Sequence, residues 1–362
     1  MRRGLIVWDA EEITSSALDA RLERLRTAMA GQGLDAIILY TNFVRPAAVA
    51  YMSSFSPYWA DAILFIPLSG EPIFSTSMST RMNRWIKTVN PVGDIVNTRR
   101  PGVHVGEWLK KNTHVSAIGV VEIDGLPAGI YNDLVATAPD VELVDATALF
   151  SEFRGHVDAT EHALLSYCNA LAERGLAAVD PEGMTDAGAA VGRVEQVARL
   201  GGAEEAYVAL APDTGADLRL ARVSGAVPLG RTFAIRASVA YKGAWLRRTR
   251  SFSADAAMSA RIADIDHWFS GLLADLDTTR GIGPQIADAA AARGGSDITL
   301  LVESCSGTYP LQPVADPAQP PREGALYVIS LAMRVDGLGW VGAAPLIQGN
   351  PLVDQALVKG RS

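Results

Sequence analysis

The segment that most constrains this chain is Pro228–Phe252, PLGRTFAIRASVAYKGAWLRRTRSF. Apolar and small residues alternate through Thr232–Val239, Lys242 and Gly243 supply a turn, and Trp245–Phe252 supplies a second strand. That is the pattern of a β-hairpin. Phe233, Ile235, Ala237 and Val239 fall on one face of the first strand, and Thr232, Ala234, Arg236 and Ser238 on the other. A hairpin symmetric about Tyr241 and Lys242 sets Arg236 directly across from Arg247. Two guanidinium groups so opposed repel each other, so the pairing asks for an anion. A bound carboxylate or phosphate is one answer; Glu303, Asp213 or Asp217 in an internal ion-pair network is the other.

Composition narrows the class. The chain has 362 residues, 49% hydrophobic and 20% charged, which suits about two globular domains with a core that needs no disulfides or metals. A net charge of −8 argues against nucleic acid and anionic membranes as partners. Cys168 and Cys305 make neither a disulfide framework nor a zinc set, so a reducing cytoplasm is the expected setting. The start, MRRGLIVWDAEE, is too short in apolar residues for a signal peptide, and the apolar run at Ala62–Pro67 has the length of a strand, not of a membrane span.

Read in order, Ser15 or Ser16 caps a helix with Leu18, Leu22, Leu25 and Met29 on one stripe, and Gly31 and Gly33 end it. Asp35–Tyr40 is a buried strand, and Ala62–Pro67 and Glu71–Ser75 flank a turn at Leu68–Gly70. Thr80–Thr88, Val103–Lys111 and Leu126–Thr137 read as helices, with strands at Ala117–Glu122 and Val141–Asp145. The alternation predicts an α/β domain over residues 1–155. Asp158 and Glu161 then have the capping-box spacing and open a helix to about Val179, on which Cys168 reads as a core thiol. Thr185–Leu200, Ala254–Leu276 and Gly283–Arg293 follow as helices, and Ala206–Ala211, the hairpin, Ile298–Glu303, Ala325–Val335 and Trp340–Ile347 as strands. Pro310–Pro321 reads as a loop. Residues 156–362 are therefore expected to form an α+β domain.

Gly230, Gly243, Thr249, Arg250 and Phe252 resemble the hairpin of the creatinase/prolidase/methionine-aminopeptidase family, and RLERLRTAMAGQGLDAIIL with AVAYMSSF resembles the creatinase-type amino-terminal domain. The resemblance implies an α/β amino-terminal domain followed by a pita-bread carboxy-terminal domain, and a homodimer. It also implies where the family's peptidases hold two metal ions. Those ligand positions fall on Arg236, Arg247, Ser304, Ser330 and Ala343 here. Arginine cannot ligate a cation and serine alone is too weak, so no metal and no other cofactor are expected.

What remains is an arginine-lined pocket. Arg219, where spacing puts a family histidine, joins Arg236 and Arg247 as candidate ligand-binding residues. Tyr58 and Trp59, in the loop that creatinase-like dimers send toward the partner's site, and Tyr309 complete the set; for Tyr58 and Trp59, ordinary surface or dimer packing is the alternative to an aromatic lid. Ser304, Cys305 and Ser330 are the candidate catalytic groups, Cys305 foremost because nearby arginines lower a thiol's pKa; small residues filling the space of lost ligands is the plainer alternative. Arg248 reads as a solvated charge and Arg250 as structural. None of His104, His114, His156, His162 and His267 falls on a site motif. The expected activity is metal-independent C–N hydrolysis or a lyase step on a small anionic molecule; the alternative is an inert pseudopeptidase that binds a peptide or protein.

Overall fold

The computed structural model of the chain describes residues 8–55, 60–184, 186–223, 225–305, 311–349 and 352. These divide into two compact units, one up to Gly155 and one from His156 onward. Among the described residues, no helix is long and apolar enough to cross a membrane.

The first unit runs α1 (Ser15–Gly31), β1 (Ala36–Thr41), α2 (Ala47–Ser53), β2 (Ala62–Pro67), β3 (Ile73–Thr76), α3 (Asn83–Val89), β4 (Asp94–Asn97), α4 (Pro101–Lys111), β5 (Ala117–Val120), α5 (Ala128–Thr137), β6 (Glu142–Asp145) and α6 (Thr147–Arg154). Its six described strands form one sheet in the order β4-β3-β2-β1-β5-β6. β1 is antiparallel to β2 and parallel to β5. IILY and AILF are continuous apolar runs because both faces of the sheet are covered. Leu25 and Met29 of α1 pack with Ile37, Leu39 and Leu64 on one side, and Val105 of α4 and Ile130 of α5 pack with Ile38 and Ile63 on the other. The cap of α1 is Thr14 and not a serine: its Oγ1 accepts the Ala17 N–H at 3.2 Å, one residue ahead of the expectation. The stretch expected as one helix over 80–88 splits into a 3₁₀ turn at Thr80–Met82 and α3.

The second unit runs α7 (Ala159–Ala177), α8 (Ala187–Leu200), β7 (Glu205–Ala211), β8 (Phe233–Tyr241), β9 (Ala244–Phe252), α9 (Ala256–Ala274), α10 (Ile282–Ala292), β10 (Ser296–Ser304), β11 (Gln312–Pro313), β12 (Leu326–Val335) and β13 (Leu338–Ile347). Asp158 Oδ1 accepts the Glu161 N–H at 2.8 Å and starts α7. The seven described strands are ordered β11-β10-β12-β13-β9-β8-β7; β11 is a two-residue strand inside the segment expected as loop, paired with the end of β10. Both long hairpins turn through two residues in the left-handed region: Lys242 (φ 47°) and Gly243 (φ 81°), Asp336 (φ 47°) and Gly337 (φ 75°). Such turns match the right-handed twist of the strands they join.

The helices pack on one face of this sheet. Cys168 Sγ donates to the Ala244 carbonyl, Tyr167 lies against Tyr241, and Ile262, Phe269 and Ile286 pack with Val302, Ile329, Leu331 and Trp340. Strand residues alternate between faces, so Arg236, Ser238, Arg247, Thr249, Glu303, Ser330 and Ala343 share the other, helix-free face. That division positions the candidate site.

Candidate functional site

The β8–β9 register differs from the symmetric hairpin expected above. With Lys242 and Gly243 as the two turn residues, Tyr241 pairs with Ala244, Arg236 with Thr249 and Arg247 with Ser238. A turn centred one residue later moves the pairing by two, which keeps both arginines on one face but makes them diagonal neighbours. Direct opposition is thereby avoided; diagonal Cα atoms lie roughly 7–8 Å apart.

Ala343 of β13 pairs with Thr249 and with Ser330 of β12. One continuous row therefore crosses the sheet, Arg236–Thr249–Ala343–Ser330. The rows beside it are satisfied. Toward the β12–β13 turn, Ser251 Oγ donates to the Val341 carbonyl at 3.0 Å and accepts its N–H at 2.9 Å, while Ala211, Ala234 and Val341 are covered by Leu218 and Leu220. On the other side, Arg247 donates through Nη1 to Glu303 Oε2 and through Nε to Ser238 Oγ at 3.1 Å. Glu303 is 5% exposed.

The middle row is not satisfied from within. Thr249 Oγ1 and Ser330 Oγ are buried with no hydrogen-bond partner among the described residues. Arg236 is half-buried, and no hydrogen bond or ion pair joins it to another described residue. Burial, and after it the Arg247 guanidinium, push the pKa of Arg236 below its ordinary value, with Glu303 opposing. Burial and Arg247 thus disfavour the Arg236 charge, and the Thr249 hydroxyl on the strand paired with it has no hydrogen-bond partner among the described residues.

Other expected members are placed elsewhere. Arg219 is exposed and chelates Asp217, with Nη2 to Oδ2 at 2.7 Å; its side chain lies in solvent because Asp217, two residues away, already satisfies it. Of the three carboxylates considered as internal counter-ions, Glu303 holds Arg247 and Asp217 holds Arg219, while Asp213 is exposed. Ser304 pairs with Tyr327, one position out of phase with Glu303, so alternation turns it to the helix-covered face. There its Oγ donates to the Leu326 carbonyl at 2.8 Å and lines a cavity of about 350 Å³ with Val302, Pro317 and Tyr327. Cys305 is buried just past β10. Tyr58, Trp59 and Tyr309 lie outside the described residues. Arg248 is not a solvated charge: it bonds Asn169 Oδ1 at 2.7 Å and Glu173 at 3.0 Å on α7, and Arg250 joins the same Glu173. Thr249, a residue of the family pattern above, is not among the expected site residues, although it has the same alternation phase as Arg247.

The dinuclear metal centre implied by the family resemblance does not suit this donor set. Two guanidiniums, two hydroxyls and a methyl group face one another, and Glu303 is held by Arg247. Among the described residues, no group of three or more His, Cys, Asp or Glu could hold a metal ion. The five histidines lie on or beside helices, and none belongs to a strand of the second sheet.

Residues 21–156 match the family described as the creatinase/prolidase N-terminal domain. Solved prolidase-type structures extend the likeness across both units. The prolidase from Pyrococcus horikoshii OT3 superposes with a TM-score of 0.69 at 15% identity, over 91% of this chain and 96% of its own. The X-Pro aminopeptidase from Thermotoga maritima MSB8 gives 0.70 at 13% identity, over 89% and 95%. Dipeptidase PepE from Mycobacterium ulcerans gives 0.64 at 18% identity, over 91% and 92%. None of the curated proteins matches the sequence. The fold is thus a creatinase-type α/β domain with an α+β pita-bread domain, as the hairpin led one to expect, and the arginine row lies on the pita-bread sheet.

Proposed function

We propose that this prolidase-like chain binds a small carboxylate-bearing molecule on the helix-free face, with Arg236 as the anchor, Thr249 as the neighbouring donor and Ser330 farther along the same row, and without a dinuclear metal. The observation that carries the reading is the unsatisfied row itself. Each buried polar group left unmet costs roughly 1–3 kcal/mol, and here two hydroxyls share a sheet row with a cation that has no described counter-ion. A carboxylate accepts two bonds from a guanidinium and has lone pairs left for the hydroxyls. The neighbours' names, prolidase, dipeptidase and X-Pro aminopeptidase, agree with a ligand that ends in a carboxylate.

The chemistry that would follow binding is less well supplied. A hydroxyl nucleophile needs a base within hydrogen-bond reach, and neither the Ser330 nor the Thr249 hydroxyl has a hydrogen-bond partner among the described residues. Together with the internal pairing of Arg247 by Glu303, this favours binding without turnover over C–N cleavage as the second step of the proposal. The test is a thermal-shift series with acetate, succinamate and phosphate on the native chain and on Arg236→Met. A ligand at 100 times its dissociation constant adds about 2.7 kcal/mol, a readable rise in Tm that Arg236→Met should lose. No stabilisation by any of these anions, or an equal response from the variant, would sink the proposal.

A further inference from the structure

We propose that Glu303 decides the charge of the ligand: by holding Arg247 it leaves Arg236 as the one uncompensated cation among the described residues of the face, so the site takes a monocarboxylate and rejects a dianion. The inference rests on the anion reading above and adds a rule of selection to it.

The residues that bear on it are few. Arg247 and Glu303 are in direct contact, and Arg247's remaining Nε bond goes to Ser238. Continuing the pairing of Ala343 with Thr249, Glu303 and Arg247 belong to one row, two residues from the row of Arg236 and Ser330. Glu303 reaches its partner over β12 and β13, and the residues between them in that row, Val328 and Pro345, cannot donate from their side chains. Arg236 feels both groups, Arg247 as a repulsion and Glu303 as an attraction. Two guanidiniums and one carboxylate leave one net positive charge. A single carboxylate cancels it, and the Thr249 hydroxyl on the strand paired with Arg236 is the nearest side-chain donor in that row. A phosphate or dicarboxylate brings a second negative charge toward the buried Glu303, in surroundings where such a charge is poorly screened. The same scaffold without Glu303 would present two free arginines, the arrangement that suits phosphate and dicarboxylates.

Succinate and its monoamide, succinamate, separate these cases, because they share a shape and differ by one charge at neutral pH. Dissociation constants are measured by titration calorimetry or by the concentration dependence of Tm. The native chain should prefer succinamate by about tenfold or more, the effect of about 1.4 kcal/mol. Glu303→Gln releases Arg247 and should reverse the order. The double variant Glu303→Gln, Arg247→Met restores one net charge and should restore the preference for succinamate; it also covers the case in which the single variant does not fold. Succinate binding the native chain as tightly as succinamate would overturn the rule, as would a folded Glu303→Gln with an unchanged ratio. If neither compound binds the native chain, the anion site fails and the charge rule falls with it, whereas binding with the wrong preference removes only the rule.

Discussion

Glu204 offers the most quantitative test of the structure, because it loads the same hairpin that carries the arginines. It precedes β7 and lies under the β8–β9 turn; its own N–H donates to the Ala240 carbonyl at 3.0 Å. Burial raises its pKa from 4.5 to about 7, and the backbone N–H groups of Lys242 and Gly243, with the Lys242 charge, only partly offset this. A carboxyl that binds its proton more tightly in the folded state stabilises the fold most when it is protonated. That contribution is complete below about pH 4.5, declines as pH rises, and is gone above pH 7. Each pH unit of the gap is worth about 1.4 kcal/mol, so the loss across the window is on the order of 3 kcal/mol. Glu204→Gln keeps an acceptor for the two turn amides and removes the titration. It should be close to neutral at pH 4.5 and more stable than the native chain by up to about 3 kcal/mol at pH 8.5. Urea denaturation of both proteins from pH 4.5 to 8.5 measures this, and the difference between them cancels groups common to both. A difference that stays flat across the range would refute the assignment of a buried, proton-retaining Glu204.

Further outcomes follow from the same packing. Cys168 is fully enclosed under Ala244, and burial followed by the Glu204 charge pushes its thiol well above the ordinary range; iodoacetamide at pH 8 should leave it unmodified until the fold is denatured. Gly339 gives no room for a side chain, since an added Cβ would meet the Thr214 carbonyl. Gly339→Ala should cost about 1–3 kcal/mol, measurable as a fall in Tm. Arg219→Ala removes an exposed pair with Asp217 and should change neither Tm nor the response to carboxylates; a lost response would bring Arg219 back into the site. Phe74→Ala in the fully buried core of the first unit should cost about 3–5 kcal/mol, read by chemical denaturation.

Much of this chain was legible from its residues. Continuous apolar runs such as IILY and AILF specify strands buried on both faces, and the capping pair Asp158/Glu161 starts a helix wherever it is placed, because these are local properties of side chain and backbone. The phase of the hairpin was legible too: alternation alone puts Arg236 and Arg247 on one face. What local pattern could not settle was the partner of each residue. Two adjacent left-handed residues, Lys242 and Gly243, centre the turn one position later than symmetry suggested, and every cross-strand pair moves by two. Arg236 then meets Thr249 instead of Arg247, and the pairing of Thr249 with Ala343 brings in Ser330 from 81 residues away. Ser304 leaves the face and Glu303 takes its place through a single step of alternation. Arg219, placed by spacing alone, finds its counter-ion two residues back and stays in solvent. Sequence determines which groups share a face, since that depends on a two-residue period. Which groups touch, and which are left wanting a ligand, depends on the register of five strands in one sheet, and only the folded chain fixes that.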